Sequence, residues 1–371
     1  MGVAEHDWEQ AVALLEGADE VALACHVDPD GDALGSMLAL HHALRRRGVR
    51  TVASWGSATP ADPATGRWPL LVPPQYTFLP GIRDLVPVSE FPRAPKVLVA
   101  FDTGSPDRLG SLRPAAEAAG TVLVIDHHAS GESFGDVRLM DPDAAATAVL
   151  VAELIDRLGV AFDRDIATCL YVGLVTDTGR FQYASTTPEV MRLGARLIAQ
   201  DIDHAAINRR VFETHSFGYL KVLGRALERA RLEPAAGLAW TAVLQRDIDD
   251  LGIAMSEVEG LIDVLRAVES AECSLVCKEQ PSTAGGPRRW KASLRSKGGV
   301  DVGRVAAALG GGGHAFAAGF IAEGELEDVV ARVVDELLAL HAADADHGDA
   351  GETDPADRPV VAVGDRAPRA S

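Results

Sequence analysis

The chain has 371 residues, more than a single ordinary hydrophobic core accommodates, so its length predicts about two domains. Apolar residues make up 47% and charged residues 24%, values that indicate neither a disordered chain nor a membrane protein. The formal charge of −19 argues against a surface that coats long nucleic acid. Metal ions and a few local basic residues still allow a short anionic substrate.

The N-terminus and the cysteines predict the compartment. The opening segment MGVAEHDWEQ carries acids where a secretory signal needs positive charge. No apolar run approaches the roughly 20 residues that span a bilayer. The four cysteines form no C-x-x-C pair, and buried thiols suit a reducing compartment. We therefore expect a cytoplasmic protein with no membrane partner.

In the first half, short apolar segments alternate with helical patterns, which predicts an α/β fold with a mostly parallel sheet. Four segments have the apolar character of strands: 21–26, 50–54, 96–101 and 121–126. Three segments have helical spacing: 33–47, the stretch after Asp143, and 163–179. The last of these is so apolar that we expect it to be buried.

In the second half, residues 201–231 have few turn signals and are predicted as a helical connector. Beyond it, strand patterns at 239–244 and 271–278, a strand ending in SLRS, and helices in DVGRVAAAL and over 326–340 predict a smaller α+β domain. The predicted division has four parts: a first domain 1–200, a connector 201–235, a second domain 236–341, and an acidic tail 342–371 that should be disordered.

The first candidate site follows the first predicted strand, in ACHVDPDGDALGSM. His26, Asp30 and Asp32 can converge where an open α/β sheet gathers its ligands. They suit Mn²⁺, Mg²⁺ or Zn²⁺, and Gly31 and Gly35 permit close backbone approach. The alternative interpretation is an acidic turn in which an aspartate caps the following helix.

Further polar residues follow other strands and one helix. Asp102 ends the third predicted strand, and Asp126, His127 and His128 end the fourth. Asp177 lies at the end of an apolar helix, where its charge opposes the helix dipole unless a cation is bound. A helix cap for Asp102 and an ordinary surface position for His127 are the alternatives.

The ordered segments HVDPDGDALGS, FDTGSPDRLG, IDHHASG and GLVTDTGRF resemble the four motifs of the DHH phosphoesterase superfamily. The segment SLRSKGGVDVGRVAAALGGGGHAFAAG is similar to the DHHA1 domain, which is marked by a Gly-Gly-Gly-His run. Together these motifs cover about residues 20–325. The resemblance implies a DHH catalytic domain followed by a DHHA1 substrate-binding domain.

The resemblance implies two divalent metal ions, Mn²⁺ as the first choice and Mg²⁺ as the alternative. The implied ligands form two sets that share Asp102: His26, Asp30 and Asp102 for one ion, and Asp32, Asp102, His127 and Asp177 for the other. His128 is implied beside the scissile phosphate as a hydrogen-bond donor or acid, with Asp126 supporting it or its neighbour. Arg108 either binds phosphate or structures its own loop.

In the second domain the resemblance implies a substrate-binding set: Arg295, Ser296, Gly311, Gly312, Gly313 and His314. A glycine run lets backbone N–H groups approach phosphate closely. The alternative interpretation of these glycines is a helix C-cap followed by a loop.

The two-domain layout is most similar to the bifunctional oligoribonuclease and pAp phosphatase group. This implies hydrolysis of very short nucleotides to mononucleotides, the expected substrates being nanoRNA, linear pApA, cyclic di-AMP and pAp. The resemblance also implies a homodimer formed through the helical region between the domains. Two alternatives are a nucleotide sensor that has lost turnover and a single-strand exonuclease. A dinucleotide-cofactor enzyme is disfavoured because no G-x-G-x-x-G follows the first strand.

Overall fold

The computed structural model describes residues 2–57, 72–128, 134–281 and 286–348. In the first half, five strands form one sheet: β1 Glu20–Cys25, β2 Arg50–Trp55, β3 Val97–Phe101, β4 Thr121–Asp126 and β5 Val137–Met140. Their order is β2-β1-β3-β4-β5, and every pairing is parallel. The prediction of an α/β fold with a parallel sheet is therefore confirmed.

Eight helices surround this sheet or lead away from it: α1 Glu5–Glu16, α2 Gly31–Arg46, α3 Arg113–Glu117, α4 Thr147–Arg157, α5 Arg164–Asp177, α6 Pro188–Ile198, α7 His204–Phe212 and α8 Phe217–Arg229. Short 3-10 helices occur at Pro74–Tyr76, Ile82–Asp84, Val88–Glu90 and Pro106–Leu112. The predicted connector thus contains two helices, because Ser216 caps a new helix by accepting a hydrogen bond from the backbone N–H of Tyr219 at 3.1 Å.

Both faces of the first sheet are buried, which explains why its strands are apolar without alternation. Leu23 faces the core formed with α2, α4 and α5, whereas Ala22 and Ala24 face a second cluster that contains Leu98 and Leu109. Helices α2 and α5 cross very closely. A Cβ at Gly31 would lie 2.5 Å from Thr176 Cγ2, and one at Gly35 would collide with the carbonyl of Cys169.

The second half contains six strands: β6 Arg231–Glu233, β7 Leu238–Val243, β8 Cys273–Gln280, β9 Arg289–Ser296, β10 Gly312–His314 and β11 Ala317–Glu323. Their order is β10-β11-β9-β8-β7-β6, and only the β7–β8 pair is parallel among the pairings of the described residues. The associated helices are α9 Gln245–Leu251, α10 Leu261–Arg266, α11 Val302–Ala308 and α12 Leu326–Gly348.

Alternate residues of the second sheet face opposite cores. Leu275 and Trp290 pack with α11 and α12 on one face, and Val276 packs with α8 and α10 on the other. Helix α12 continues to Gly348, past residue 342, where the predicted tail begins. The rest of the predicted tail lies outside the described residues. No helix in the described part of the chain has the length and apolar composition needed to cross a bilayer.

Candidate metal centre

The carboxyl ends of β1, β3 and β4 meet at one edge of the first sheet. The register pairs Cys25 with Phe101 and Phe101 with Ile125, so the residues that follow these strands lie side by side. The polar residues at this edge are His26, Asp102, Asp126, His127 and His128. Crevices at such an edge are the usual ligand sites of open parallel sheets.

Two helices complete the cluster. Asp30 is the N-cap of α2, and its Oδ1 accepts hydrogen bonds from the backbone N–H groups of Asp32 and Ala33, each at 3.0 Å. The capping role considered from the sequence is thus real, and it coexists with a position 3.9 Å from His26 Nε2. Asp177 is the last residue of α5.

The ligand atoms of these side chains form three groups, each within 4.8 Å: His26, Asp30 and Asp102; Asp32, His127 and Asp177; and Asp102, His127 and His128. Asp102 connects the groups through its two different oxygens. Its Oδ2 lies 3.2 Å from His26 Nε2, and its Oδ1 lies 3.6 Å from His127 Nε2. A carboxylate placed in this way can bridge two cations.

The hydrogen bonds of the two histidines show which nitrogen is available to a metal ion. His26 Nδ1 lies 2.7 Å from the carbonyl of Val27, and His127 Nδ1 lies 3.1 Å from the carbonyl of Ala144. A carbonyl only accepts, so each Nδ1 carries the hydrogen, and in a neutral ring Nε2 carries the lone pair. Both Nε2 atoms face carboxylates, an arrangement that either a second proton on the ring or a bound cation stabilises. The donor set fits a divalent metal ion of the Mn²⁺, Mg²⁺ or Zn²⁺ type.

Asp32 is fully buried beside the first turn of α4. Its Oδ1 accepts from Ser36 Oγ at 3.1 Å and from Ala148 N–H at 2.9 Å, and its Oδ2 accepts from Thr147 N–H at 2.6 Å. A Cβ at Gly173 would lie 2.6 Å from Oδ1, so only glycine leaves room for the carboxylate. Burial, followed by the charges of Asp177 and Asp102, raises the pKa of Asp32 well above its ordinary value.

Asp102 has a left-handed backbone, with φ of 57°, in a residue type that only sometimes adopts it. This conformation costs on the order of 1–3 kcal/mol and is stabilised by its N–H, which donates to the Ile125 carbonyl at 2.9 Å. Thr147 Oγ1 donates to Asp102 Oδ1 at 2.9 Å. Burial opposes ionisation, but the hydrogen bond and charge of His26, with the charges of the two other histidines, hold the pKa of Asp102 well below its usual range.

The electrostatics of the second group also favour a cation. Burial raises the pKa of Asp177 to about 6. Burial alone would lower the pKa of His127, yet the hydrogen bond to Asp177 at 3.1 Å and the nearby carboxylates raise it to about 11. The buried negative charge therefore attracts either protons or metal ions to this edge of the sheet.

Comparison with known proteins identifies the family. The family model "DHH family, N-terminal domain" matches residues 20–174, and the "DHHA1 domain" model matches residues 241–340. The bifunctional oligoribonuclease and PAP phosphatase NrnA of Thermus thermophilus is 35% identical over 319 residues, which are 85% of this chain and 89% of the relative. The chain belongs to the DHH phosphoesterase family.

Two further similarities extend over most of this DHH protein. An exopolyphosphatase-related protein from Bacteroides fragilis, of known crystal structure, superposes with a TM-score of 0.78 at 25% identity, covering 91% of this chain and 97% of that one. The cyclic-di-AMP phosphodiesterase GdpP of Geobacillus thermodenitrificans is 25% identical over 316 residues, which are 81% of this chain and 44% of the relative.

The remaining polar residues at this edge of the first sheet are linked by close contacts from Asp126 through His128 to Arg108. Asp126 is buried, and its Oδ1 accepts from His128 Nδ1 at 2.6 Å and from the His128 backbone N–H at 3.2 Å. Arg108 Nη1 lies 3.4 Å from His128 Nε2 and also 3.4 Å from the Asp102 carbonyl. Arg108 therefore supports its own loop and also lies beside His128. This position is compatible with both roles considered from the sequence, phosphate binding and support of the loop.

Sequence reasoning missed two residues that hold the predicted ligands. Ser36 lies one helical turn after Asp32 and donates to it, a relation that the spacing alone could have indicated. Thr147 contacts Asp32 through its backbone and Asp102 through its hydroxyl, although it lies far from both in the sequence. No local pattern marks such a long-range contact.

Two residues from the DHHA1 motif lie at the end of β9. Ser296 is buried and occupied: its Oγ donates to Glu272 Oε1 at 3.2 Å and accepts from the N–H groups of Gly298 and Val300 at 3.1 and 3.3 Å. These contacts place Ser296 in the turn after β9, and its role in binding substrate stays a prediction. Arg295 is half-buried on the opposite face and donates to the Leu294 carbonyl at 3.0 Å.

The glycine run combines structural and exposed positions. Gly310 has φ of 83° after α11, in agreement with the C-cap alternative. A Cβ at Gly311 would collide with the Gly319 carbonyl, and Gly313 has φ of 140° against β11. Gly312 is exposed like its glycine neighbours, but it differs from Gly311 and Gly313 because a Cβ there would meet no described atom within 4 Å. The backbone of His314 pairs with Ala317, and its side chain lies outside the described part of the protein.

Proposed function

We propose that this DHH protein is a two-metal phosphohydrolase that acts on very short nucleotides. It cleaves nanoRNA and linear pApA to mononucleotides, and it removes the 3′-phosphate of pAp. The observation that carries the proposal is the position of Asp102, whose two oxygens face two separate groups of ligand atoms. The similarity to NrnA of Thermus thermophilus over most of both chains supports the substrate class.

The ligand sets follow from this geometry. His26, Asp30 and Asp102 would hold one ion, and Asp32, Asp102, His127 and Asp177 the other. Mn²⁺ is the proposed metal, with Mg²⁺ as the alternative, because mixed imidazole and carboxylate ligands suit it. When bound, two such ions supply positive charge that neutralises phosphate oxygens and lowers the pKa of a water molecule.

Residues of the protein itself then transfer the proton and bind the substrate. Asp126 holds the Nδ1–H of His128, which leaves Nε2 as the atom that can carry and release a second proton. We propose that His128 protonates the leaving 3′-oxygen through Nε2. Arg108, now beside Nε2, is placed to donate to a phosphate oxygen instead. The exposed backbone of Gly312 and the side chain of Arg295 are the proposed substrate contacts of the DHHA1 half.

Cyclic di-AMP is a second proposed substrate, because the chain resembles a cyclic-di-AMP phosphodiesterase over 316 residues. It shares with pApA a phosphodiester at a nucleoside 3′-oxygen. The kcat/KM values of these substrates give their order of preference.

The test is hydrolysis of pApA, pAp, cyclic di-AMP and an RNA dinucleotide with Mn²⁺, with Mg²⁺ and with a chelator. We expect mononucleotide release that the chelator abolishes. The control variant is Asp28→Asn, which changes an exposed neighbouring acid whose left-handed φ of 51° asparagine also accepts. Nucleotide binding without metal-dependent release would instead establish the sensor.

A further inference from the structure

The turn that follows the ligand Asp177 has an unusual backbone. Gly179, Arg180 and Phe181 are consecutive left-handed residues, with φ of 54°, 61° and 63°. This backbone region is unfavourable for non-glycine residues. Thr178 stabilises the turn, since its hydroxyl accepts from the Phe181 N–H at 3.1 Å and its carbonyl accepts from the Tyr183 N–H at 3.0 Å. Strain that is maintained so near a site commonly serves positioning.

The strained turn determines where Tyr183 lies. Its ring packs on Gly179 so closely that any Cβ there would collide with ring atoms. The phenol is half-buried, and burial raises its pKa. Charges from both halves of the protein act on its hydroxyl: Asp177 of the metal centre, and Asp263, Arg266 and Arg295 of the second half. Tyr183 thus lies in the turn that follows Asp177, and its ring contacts Arg266 of the second half.

Arg266, the last residue of α10, reaches this aromatic ring. Its guanidinium carbon lies 4.8 Å from the centroid of the Tyr183 ring, within cation–π range. Its Nε is buried and has no hydrogen-bond partner among the described residues, and no described carboxylate lies within ion-pair distance of it. A buried donor without a partner is unfavourable.

Other arginines of the second half show the usual arrangement. Arg229 makes a two-pronged pair with Asp247, with Nη2 at 2.8 Å and Nη1 at 2.6 Å from the two carboxylate oxygens. Arg225 pairs with Asp250 at 2.9 Å. Arg266 is half-buried like them but faces an aromatic ring instead of an acid. A planar guanidinium held in this way is suited to bind a phosphate by two parallel hydrogen bonds.

We propose that Arg266, held on Tyr183, binds the phosphate that is not cleaved, namely the 5′-phosphate shared by pApA and pAp. The inference rests on the proposed function, and it adds a specificity residue from the second half of the protein. One binding mode then serves both substrates, since each carries a 5′-phosphate and a scissile phosphate at the 3′-oxygen.

The experiment compares Arg266→Gln and Arg266→Lys with wild-type protein on pApA and on ApA, which lacks the 5′-phosphate. For Arg266→Gln we expect the KM for pApA to rise roughly tenfold or more, with kcat and the kinetics on ApA within about twofold. Arg266→Lys should be intermediate, because it keeps the charge and loses the planar fork. The matched control is Arg246→Gln on the exposed side of α9, which should leave both substrates unaffected.

The Tyr183 variants test whether the aromatic ring of Tyr183 positions Arg266. Tyr183→Phe keeps the ring and should keep the wild-type ratio of the KM values for pApA and ApA, whereas Tyr183→Leu should raise the KM for pApA relative to ApA as Arg266→Gln does. Equal losses of Arg266→Gln on pApA and ApA would overturn the inference, because they would show a merely structural role.

A separate binding measurement distinguishes this inference from the proposed function. In the presence of chelator, calorimetry of AMP and adenosine binding needs no turnover. If wild-type protein hydrolyses none of the nucleotides, the proposed function fails. A preference for AMP over adenosine that disappears in Arg266→Gln would still support the phosphate site, and a preference that survives in the variant would contradict it.

Discussion

The two halves of the molecule build their candidate sites from different materials. At the edge of the first sheet, side chains do the binding: buried aspartates and histidines are each oriented by hydrogen bonds from neighbouring helices and strands. At the edge of the second sheet, the glycine run offers mainly backbone, and Gly312 is exposed without a packing reason. Side-chain sites tolerate almost no substitution, whereas a backbone site tolerates any change that leaves the N–H groups accessible.

The largest expected effect is at the shared ligand. Asp102→Asn removes the charge that faces both groups while it keeps the side-chain shape and the left-handed backbone that asparagine accepts. We expect kcat/KM for pApA to fall by about a thousandfold or more. Steady-state kinetics in Mn²⁺ measure this, with Asp28→Asn as the control. Activity within tenfold of wild type would break the comparison, because the first site would then not depend on its central side chain.

Metal removal should destabilise the first half in particular. Asp32 and Asp102 are buried and Asp177 is partly buried near them, so their mutual repulsion favours a bound cation. A ligand that binds only the folded state stabilises by about 2.7 kcal/mol at a hundred times its Kd. We expect chelator to lower the melting temperature by several degrees. Hydrogen exchange should place the loosening in α2 and α5, and a uniform loss in both sheets would contradict the account.

A pair of alanine substitutions in the second half distinguishes a glycine that close packing requires from one that packing does not require. Gly311→Ala places a Cβ against the Gly319 carbonyl and should destabilise the protein by roughly 1–3 kcal/mol. Gly312→Ala meets no described atom and should leave stability nearly unchanged while it raises the KM for pApA several-fold. Thermal melts and kinetics of the two variants check this. A KM that Gly312→Ala does not change would remove the proposed backbone contact.

A further expected effect concerns Thr147, which positions the shared ligand. Thr147→Val keeps the shape of the side chain and removes the hydroxyl that donates to Asp102 Oδ1. The loss of one such hydrogen bond corresponds to about tenfold in kcat/KM, and Thr147→Ser should restore most of it. If valine and serine variants are equally impaired, the role of Thr147 is packing.

The fold was largely predictable because its strands are short apolar segments buried on both faces. The predicted strands agree with β1 to β4 to within about one residue. Strand β5 and helix α6 were missed. Strand β5 is short and only partly buried. Helix α6 is indicated in the sequence only by the capping signal of Thr187 and Pro188.

The sequence predicted the side chains of the candidate site that carry the chemistry, but not the residues that position them. All six candidate ligands lie together because each one follows a strand or ends a helix at the same edge. The contacts of Thr147 and the meeting of Tyr183 with Arg266 were not predictable, since both depend on how distant segments pack. The hydrogen bonds of Ser296 within the turn after β9 were likewise not predictable from its motif position.

The most direct test of the account is the metal content of two variants that each lose a charge from one group. Asp30→Asn affects the first group and preserves the helix cap, for which asparagine is equally suited, while Asp177→Asn affects the second. Anomalous diffraction at the manganese edge locates the ions. The account predicts two Mn²⁺ ions in wild type on either side of Asp102, and preferential loss of a different one in each variant. A single ion in wild type, or loss of the same ion from both variants, would contradict it.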